Sequence, residues 1–270
     1  MNGWFDTDGP VDSLPIDDRG LQYGDGLFET IAIRDGRPRL LERHLARLSE
    51  GCRRLELPYP GDNVVTALVV KLVDSSVSRG IVKLILTAGE GPRGYARPES
   101  PKPRLIGRFS ASQPLAAACY SDGVSVGWSD VPAAIQPRLA GLKSLNRLEQ
   151  VLARHALGTA FERLLCDTES QIICGTMSNI MLVIDQQLVT PDLSRAGVAG
   201  VMRAAVLDCV DDVVVRDIGR TEALYASELI LCNSQFGVLP VASIDNRTLS
   251  NRDGFSHVRA SLAKAGVVEP

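Results

Sequence analysis

The chain has 270 residues, 45% of them hydrophobic, and its 29 basic and 32 acidic residues leave a formal net charge of −3 at pH 7. This balance argues against a nucleic-acid partner, because such proteins usually carry a basic footprint. No apolar run approaches the roughly 18 residues that a membrane-spanning helix needs. Residues 1–6 also lack the basic and apolar regions of a secretory signal, so we expect neither a membrane partner nor export.

The first 111 residues predict an α+β domain, because strands flank paired helices without strict βαβ alternation. The Asp35-Gly36 pair predicts a tight turn between the first two strands. The predicted elements are strands over Phe28–Arg34 and Arg37–Leu40, an amphipathic helix from Leu41 to Leu55, a helix over Asp62–Asp74, and strands over Ile81–Leu86 and Arg104–Phe109.

Residues 112–121 are predicted to be a linker, although the Leu115–Ala118 run also fits a short helix. Residues 122–270 then form a second, mixed and strand-rich domain. A helix is predicted just after Lys143, since Leu145, Leu148, Val151, Leu152 and Ala156 recur at helical spacing. The other predicted elements are strands over 124–128, 164–166, 172–173, 180–184, 213–215 and 228–232, and a helix over 201–210.

The cysteine and histidine patterns argue against disulfides and metals. The six cysteines contain no C-x-x-C pair, so we expect reduced thiols in a cytoplasmic protein. None of the histidines, His44, His155 and His257, has a further ligand at metal-binding spacing. Acid–base chemistry therefore falls on lysine, tyrosine or carboxylates.

Lys143 is the strongest candidate for such chemistry. It stands between apolar neighbours, within Leu139–Gln150, just before a helical pattern. Burial beside apolar groups disfavours the ammonium form, and the neutral amine is the form that attacks carbonyls. The alternative interpretation is a surface lysine beside a helix N-terminus.

The glycine-rich segment Gly89–Gly94 matches G-x-G-x-x-G after a predicted strand. Three prolines follow it, so the helix of a dinucleotide site cannot form there. Arg93 in this loop can hold a carboxylate through two parallel hydrogen bonds, and Tyr95 can add a hydroxyl. The alternative is an ordinary hairpin loop with an exposed arginine.

Other segments favour phosphate binding. Ala196–Arg203 is a glycine-rich turn that runs into a predicted helix, whose first amides have no intrahelical acceptor. Cys232-Asn233-Ser234 ends a predicted buried strand, where loop amides and hydroxyls often face a ligand. Arg47 can supply a positive charge to neutralise the phosphate. The alternative is that Arg47 belongs to a solvated helix face.

The segment Tyr23–Thr30 packs two glycines, two acids, two aromatic rings and a hydroxyl before a strand. A structural turn accounts for the glycines, but it does not account for the bulky rings that flank them. We therefore expect Tyr23 and Phe28 to form the wall of a binding site.

The order of these segments resembles the fold-type IV pyridoxal-phosphate enzymes, which include branched-chain and D-amino-acid aminotransferases and aminodeoxychorismate lyases. The resemblance covers residues 2 to 260, and residues 93–95 and 139–150 are most similar to the lyases. It implies an α+β fold of two domains, a smaller N-terminal α/β domain and a larger strand-rich C-terminal domain. The matching segments are Tyr23–Thr30, His44–Leu48, Arg93–Tyr95, Leu142–Arg147, Gly175–Asn179 and Gly200–Arg203.

The resemblance implies pyridoxal 5′-phosphate as the cofactor and gives each candidate a role. Lys143 would form the Schiff base, or internal aldimine, with the cofactor, and Thr30 would lie near the leaving group. The implied cofactor contacts are Arg47, Lys143, Cys174, Val201, Met202, Asn233 and Ser234. The implied substrate contacts are Arg93, Tyr95, Tyr23 and Phe28.

One position departs from the family pattern. Five residues before Asn179 the family usually has a glutamate that keeps the cofactor's pyridine nitrogen protonated, and this chain has Cys174. A buried apolar thiol resists ionisation, so we expect a weaker electron sink. An elimination that creates an aromatic ring tolerates a weaker electron sink better than transamination does. Glu169 occupies the position of the family's glutamate only if the strands before Asn179 form a different hairpin.

The resemblance therefore implies conversion of 4-amino-4-deoxychorismate into 4-aminobenzoate and pyruvate, a step of folate biosynthesis, through the Lys143 aldimine, proton abstraction and elimination. Two alternatives stay open: a D-amino-acid or branched-chain aminotransferase of the same fold, and a cofactor-binding protein without catalysis. Family members are usually homodimers, so the resemblance also implies a homodimer.

Overall fold

The computed structural model describes residues 3–73, 77–155 and 158–267, and Asp74 and Ala156 of the predicted helices lie outside these ranges. The chain divides into two compact units. The first comprises Met1–Gln113 and Leu142–Asn146, and the second comprises Pro114–Gly141 and Arg147–Pro270. No helix of the described residues is long and apolar enough to cross a membrane.

The first unit contains a mixed set of short and long elements around one antiparallel sheet. Its strands are hydrogen-bonded in the order β2-β1-β6-β5-β3-β4. The elements are β1 (Trp4–Phe5), β2 (Pro10–Val11), α1 (Arg19–Tyr23), β3 (Gly26–Arg34), β4 (Arg37–Pro38), α2 (Leu41–Arg54), α3 (Asp62–Leu72), β5 (Arg79–Thr87) and β6 (Arg104–Ala111).

Helices α2 and α3 pack on one face of this sheet. Successive strand residues point to opposite faces, and Leu27, Leu84 and Gly107 share the helix-covered face. A Cβ atom on Gly51 of α2 would come 2.7 Å from Leu27 Cδ1, and one on Gly107 would come 2.5 Å from Leu72 Cδ1 of α3. Glycine at these two positions therefore lets helices and strands approach closely.

The opposite face carries a different set of side chains. In the β3–β5–β6 register, Thr30 lies opposite Lys83 and Lys83 opposite Arg108, while Phe28 lies opposite Ile85 and Ile85 opposite Ile106. We call this the cation-bearing face, and it comprises Phe28, Thr30, Lys83, Ile85, Ile106 and Arg108. Lys83 and Arg108 are exposed on it.

The second unit is larger and rich in strands, with the main order β12-β11-β10-β13-β14-β7-β8-β9 and β15 paired to β14. Its elements are α4 (Ala118–Ser121), β7 (Val124–Trp128), α5 (Leu148–His155), β8 (Glu162–Cys166), β9 (Ile172–Gly175), β10 (Asn179–Ile184), β11 (Gln187–Pro191), α6 (Val201–Cys209), β12 (Val214–Arg216), α7 (Arg220–Ala223), β13 (Glu228–Asn233), β14 (Gly237–Ile244), β15 (Arg247–Thr248) and α8 (Asp253–Lys264).

The core of the second unit lies against its central strands. All six residues of β10 are buried, and Ile180, Leu182, Leu231 and Leu239 belong to one hydrophobic cluster. The sequence predicted β10 and β13 from their continuous apolar runs, and both predictions are confirmed. It did not predict β11, β14 or α8.

The helix predicted after Lys143 begins later than expected, at Leu148. Its apolar stripe lies on the surface, because Leu148, Val151 and Leu152 are 75%, 60% and 58% exposed. Ala153 is the buried residue of this helix. The helical spacing was therefore predicted correctly, while the apolar stripe is exposed among the described residues and not buried as a core helix would have it.

A Gly-x-Ser-x-Gly match at Gly123–Gly127 has no catalytic geometry. Ser125 lies within strand β7. A nucleophile elbow needs a sharp turn between a strand and a helix, so this serine does not form one.

Candidate active site

Lys143 lies in an extended segment beside the first residues of β3. Phe28 N–H donates to Lys143 C=O at 3.0 Å, and Leu145 N–H donates to Gly26 C=O at 3.0 Å. The Lys143 Nζ atom lies 4.2 Å from the centroid of the Phe28 ring. An ammonium over an aromatic face is attracted by the ring quadrupole, so this contact holds the lysine head on the cation-bearing face.

The glycines before β3 make this arrangement sterically possible. A Cβ atom on Gly26 would come 2.3 Å from Leu86 C=O, and one on Gly24 would come 2.7 Å from Asn146 Oδ1. Gly24 also has φ of 65°, which is left-handed. Asn146 Nδ2 donates to Gly24 C=O at 3.2 Å, so the Lys143 segment is tied to this turn.

Glu29, His44 and Arg47 form a buried cluster between β3 and α2. Arg47 donates from Nε to Glu29 Oε1 at 2.8 Å and from Nη2 to Glu29 Oε2 at 2.5 Å. His44 Nδ1 lies 2.6 Å from Glu29 Oε2. Arg47 thus brings a positive charge to the buried carboxylate of Glu29 through the planar fork of its guanidinium.

The pKa values of this cluster follow from burial and charge together. Burial raises the pKa of Glu29, but Arg47 and His44 outweigh it and lower the pKa to about 2. Burial is the main cause that lowers the pKa of His44, against the opposing effect of Glu29. His44 is therefore the neutral member, and it donates from Nδ1 to the ionised Glu29 near pH 7.

The loop that carries Arg93 and Tyr95 is held by Arg19, which the sequence did not single out. The Arg19 guanidinium donates to the carbonyls of Gly94, Tyr95 and Ala96 at 3.1, 2.7 and 3.2 Å. Tyr95 itself is 87% exposed, and Arg93 is exposed. The backbone of the loop is thus fixed while its two candidate substrate groups face outward.

Asp25 forms a second connection between Arg19 and this loop, because it accepts hydrogen bonds from both Arg19 and Arg97. Arg19 Nε donates to Asp25 Oδ2 at 3.0 Å, and Arg97 donates from Nε to the same oxygen at 2.9 Å. These two arginines hold the pKa of Asp25 below its usual value despite burial, which raises it. The Tyr23 and Tyr95 rings lie 5.5 Å apart in an edge-to-face contact. Tyr23 therefore contacts the loop that carries Arg93 and Tyr95, and its role in a site wall stays a prediction.

In the second unit, helix α6 begins with amides that have no intrahelical acceptor. Gly200 is its N-cap and makes no side-chain cap hydrogen bond. Val201 and Met202 follow it and are both buried. Such an N-terminus combines unpaired N–H donors with the positive end of the helix dipole, which suits a phosphate.

Asn179 shapes this N-terminus. Asn179 Nδ2 donates to Val198 C=O at 2.9 Å. A Cβ atom on Gly200 would come 2.0 Å from Asn179 Oδ1, so a larger residue there displaces the asparagine. Arg203 secures the helix from the other side, donating to Thr190 Oγ1 at 3.1 Å and to Pro191 C=O at 2.9 Å.

Asn233 and Ser234 lie at the end of β13. Asn233 Oδ1 accepts from the N–H groups of Gln235 and Phe236 at 2.8 and 2.9 Å, and its Nδ2 donates to Met177 C=O at 3.1 Å. The carboxamide of Asn233 thus braces the turn into β14. A phosphate role for Asn233 and Ser234 stays a prediction.

Cys174 is buried in β9, opposite Leu165 of β8. Burial is the main cause that raises the pKa of its thiol to about 12. Its neighbours Ile173, Leu193 and Ala196 belong to one apolar cluster. Cys174 is therefore a neutral thiol at physiological pH.

Glu169 does not take the place of the missing carboxylate. It lies in the turn between β8 and β9 with a side chain that is 55% exposed. Its two oxygens accept from Arg195 at 2.7 and 2.8 Å. The hairpin register places Cys174, and not Glu169, at the buried position.

Glu162 is a buried carboxylate that the sequence interpretation missed. It accepts from the N–H groups of Thr176 and Met177 at 3.0 and 3.1 Å and from Ser178 Oγ at 3.0 Å. It therefore fixes the turn that follows Cys174. An acid at the start of an apolar strand is the signal that marks it, because buried charges are normally hydrogen-bonded.

Comparison with known proteins matches this geometry to one family. The family model described as amino-transferase class IV matches residues 26–244. The chain is 35% identical to an aminodeoxychorismate lyase of Vibrio harveyi over 242 residues, which cover 87% of this chain and 89% of that protein. It is 26% identical to a D-alanine aminotransferase of Bacillus licheniformis, over 88% of this chain and 86% of that protein.

A solved structure gives the same answer. The crystal structure of 4-amino-4-deoxychorismate lyase from Pseudomonas aeruginosa matches with a TM-score of 0.90 and 42% identity, and the match covers 97% of this chain and 98% of that one. The two-domain fold-type IV architecture expected from the sequence is thereby confirmed. Enzymes of this family depend on pyridoxal phosphate. The chain belongs to the class IV aminotransferase family.

Proposed function

We propose that this protein is a pyridoxal-phosphate-dependent lyase that converts 4-amino-4-deoxychorismate into 4-aminobenzoate and pyruvate. The observation that carries the proposal is the placement of Lys143, whose amine lies 4.2 Å from the Phe28 ring centroid. Thr30 follows Phe28 by two residues on the same face of the sheet. The named lyases matched above, at 35% and 42% identity, support the choice of reaction.

Most of the candidate site residues fit pyridoxal phosphate. The N-terminus of α6 offers the amides of Val201 and Met202 to a phosphate, and its N-cap, Gly200, makes no side-chain cap hydrogen bond. Arg47 adds a positive charge, which favours a bound phosphate. Lys143 would hold the cofactor through its primary amine. We assign Asn233 and Ser234 to the phosphate as well.

Cys174 fits the cofactor less well. A neutral thiol supplies no negative charge, whereas a carboxylate at that position would favour a protonated pyridine nitrogen. Full transamination depends strongly on a protonated pyridine nitrogen, because the carbanion that it forms has no leaving group to carry the negative charge away. A reaction that gains an aromatic ring depends on it less, and this difference favours the lyase.

The reaction needs few groups from the protein. When bound, pyridoxal phosphate withdraws electrons from the ring carbon that carries the substrate amine. Lys143 takes the proton from that carbon as a general base. Thr30 donates a hydrogen bond to the ether oxygen, whose bond to the ring breaks as the ring becomes aromatic. Lys143 or Thr30 returns the proton to the leaving enolpyruvate, so the atoms balance without water.

Arg93 and Tyr95 bind a substrate carboxylate in this proposal. The loop backbone is fixed by Arg19, so binding does not have to order it. Tyr23 supports Tyr95 through ring contact, and Phe28 lines the site beside Lys143. Prior ordering of this kind lowers the entropic cost of binding.

We also propose a homodimer in the cytoplasm. Leu148, Val151 and Leu152 form an exposed apolar stripe on α5, and such stripes mark protein interfaces when they are contiguous. Replacing Val151 and Leu152 by glutamate is expected to yield monomers in sedimentation velocity, while Val70→Glu on α3 leaves the dimer intact. A wild-type protein that sediments as a monomer contradicts this part.

Product analysis tests the function. The purified holoenzyme is incubated with 4-amino-4-deoxychorismate, and pyruvate and 4-aminobenzoate are measured separately. The proposal expects both products in equal amounts without any amino acceptor. Amino transfer from D-alanine or leucine to 2-oxoglutarate, together with no release of 4-aminobenzoate, would instead identify an aminotransferase. A protein that binds the cofactor and turns over neither substrate would be a non-catalytic binding protein.

A further inference from the structure

Arg203, the third residue of helix α6, is a buried cation without a counterion. It exposes 9% of its surface. Its guanidinium donates to two uncharged acceptors, Thr190 Oγ1 at 3.1 Å and Pro191 C=O at 2.9 Å. Within the part of the chain that the structure describes, no carboxylate lies within 4 Å of it. Buried charges are normally paired with an opposite charge, so this arginine lacks the usual compensation.

The surroundings of Arg203 disfavour its positive charge. Burial is the main cause that lowers the pKa of its guanidinium, while Cys232 and Asp192 act in the opposite direction. Cys232 is itself neutral, because burial raises the pKa of its thiol to about 12. Asp192 instead accepts from the N–H and the hydroxyl of Ser194 at 3.0 and 2.7 Å. An arginine keeps its proton at neutral pH in spite of burial, so α6 carries a buried positive charge.

The fold holds this charge in one place. The acceptor of the Arg203 Nε group, Thr190, is fully buried in β11 and donates from Oγ1 to Ile180 C=O of β10 at 2.8 Å. The guanidinium is thus oriented by a side chain that is itself fixed. A charge that the fold has already oriented needs no rearrangement when a ligand arrives.

Arg203 lies next to the groups assigned to the phosphate in the second unit. A helix rises 1.5 Å per residue, so its Cα atom lies about 3 Å along the axis from that of the first residue of α6. A Cβ atom on Gly200 would come 3.9 Å from Arg203 Cβ. Cys232, on which the charge of Arg203 acts, directly precedes Asn233 and Ser234 at the end of β13. An anion at the N-terminus of α6 is therefore within range of this charge.

We propose that Arg203 is a positioning residue of the phosphate site, whose buried positive charge favours a doubly charged phosphate at the N-terminus of α6 without touching it. The inference rests on the proposed function, because it takes that N-terminus as the place of the cofactor's phosphate. At an effective dielectric constant of about 20, a unit charge about 10 Å from an anion changes its affinity by roughly tenfold. The bound anion would then compensate a cation that the described chain leaves without a counterion.

Affinities of the full-length chain for two ligands test this proposal. Pyridoxal 5′-phosphate and pyridoxal differ only in the phosphate, and each is titrated into the cofactor-free protein and followed by absorbance. Arg203→Met is expected to weaken binding of pyridoxal 5′-phosphate by about tenfold and of pyridoxal by less than about twofold, because only the former carries the anion. Arg203→Lys keeps the charge and should stay within about threefold of the wild type for both ligands.

Two further variants separate the effect of charge from that of folding. Arg203→Gln is uncharged but can still donate a hydrogen bond, and it should behave like Arg203→Met even if the methionine variant folds poorly. Arg247→Met is the matched control, because Arg247 is half-buried and also donates to backbone carbonyls. Arg247 pairs with Ile244, which lies about 23 Å along β14 from Gly237, the partner of Asn233. This variant should change neither affinity.

Phosphorus NMR of the holoprotein gives a second readout that does not depend on turnover. A phosphate ester loses its second proton with a pKa of about 6, and a nearby cation lowers that pKa because it stabilises the dianion. The phosphorus resonance of Arg203→Met should therefore titrate at a higher pH than that of the wild type, by about one pH unit. The resonance of Arg247→Met should follow the wild type.

Two results overturn the proposal. One is an equal loss of affinity for both ligands in the uncharged variants of Arg203, since the arginine would then only hold the helix in place. The other is a phosphorus titration that is the same in wild type and Arg203→Met.

These results can be told apart from failure of the proposed function. A wild-type chain that binds pyridoxal 5′-phosphate no more tightly than pyridoxal refutes the phosphate site itself. A wild-type chain that prefers the phosphate form, with the same preference in Arg203→Met, refutes the role of Arg203 alone. Neither comparison depends on whether the protein releases 4-aminobenzoate or transfers an amino group.

Discussion

The Lys143 amine and the Phe28 ring lie 4.2 Å apart, and the backbone of the two residues is joined by a hydrogen bond of 3.0 Å. The lysine is therefore placed by a strand and not by the helix that follows it. Strands are more rigid supports for a reacting group than flexible loops are, and supporting residues with fixed rotamers keep a site in productive geometry.

Glu29 is expected to be a main source of stability in the first unit. Glu29→Gln leaves Arg47 without its buried counterion, and breaking such a pair costs about 3 kcal/mol of unfolding free energy. Urea unfolding at pH 7 measures this loss. The matched control is Glu50→Gln, whose solvent-screened pair with Arg53 on the surface should contribute far less to the unfolding free energy.

The same residue predicts a dependence on pH. The pKa of Glu29 is lowered to about 2 in the folded state from its ordinary value of 4.5, so the unfolded state takes up the proton first as the pH falls. Its contribution is complete above pH 4.5 and is lost as the pH falls towards 2. The difference in unfolding free energy between wild type and Glu29→Gln should therefore shrink over this range. A difference that stays constant contradicts the assignment.

Gly200 is expected to be essential for holding phosphate at α6. Gly200→Ala puts a methyl group 2.0 Å from Asn179 Oδ1, so the asparagine is displaced and its hydrogen bond to Val198 C=O, which holds the turn before the helix, is lost. We expect pyridoxal-phosphate affinity to fall about tenfold, because the amides move away from the anion. Gly219→Ala is a matched control, since Gly219 is the N-cap of α7 with similar backbone angles and no atom within 4 Å of the added Cβ. Equal affinity in both variants speaks against the phosphate site.

Cys174 is expected to act as a neutral group. Because the pKa of its thiol is raised to about 12, exchange for another uncharged side chain should matter little. Cys174→Ser should keep pyruvate release within about threefold at pH 7 to 9, since neither variant carries a charge there. A drop beyond about a hundredfold, or a rate that follows thiolate formation, is incompatible with this role.

Arg19 is expected to position the loop without touching the substrate. Arg19→Met removes three hydrogen bonds to the carbonyls of residues 94–96. KM for the substrate should rise by about tenfold or more while kcat changes less, because the Arg93 loop must then be ordered on binding. Arg53→Met removes an exposed arginine of α2 and serves as the control. Unchanged KM in Arg19→Met argues against the positioning role.

Local patterns predicted much of the fold. The apolar runs of β5 and β10 and the Asp35-Gly36 turn are local signals, and each predicted element formed. Elements such as α8 lacked so clear a pattern. The exposed stripe of α5 could not be foreseen, because the spacing of apolar residues does not say whether a core lies beside them.

The site was predictable only in part. Lys143, Arg47 and the Gly200–Met202 turn carry local signals of charge and glycine, and these signals make them candidates from the sequence alone. The support given by Arg19 and Glu162 depends on partners far along the chain, such as Tyr95, which lies 76 residues after Arg19. Pairing at such distances is set by tertiary structure, so a single sequence does not reveal it.

Turnover by the Lys143→Ala holoprotein tests the central claim most directly. Pyruvate and 4-aminobenzoate are measured after mixing 4-amino-4-deoxychorismate with the wild type, with Lys143→Ala and with Lys102→Ala, a change at an exposed loop lysine. The account predicts equal amounts of both products from the wild type and Lys102→Ala, and at least a thousandfold slower release, on the order of a lost catalytic base, from Lys143→Ala. Release at the wild-type rate from Lys143→Ala would contradict it.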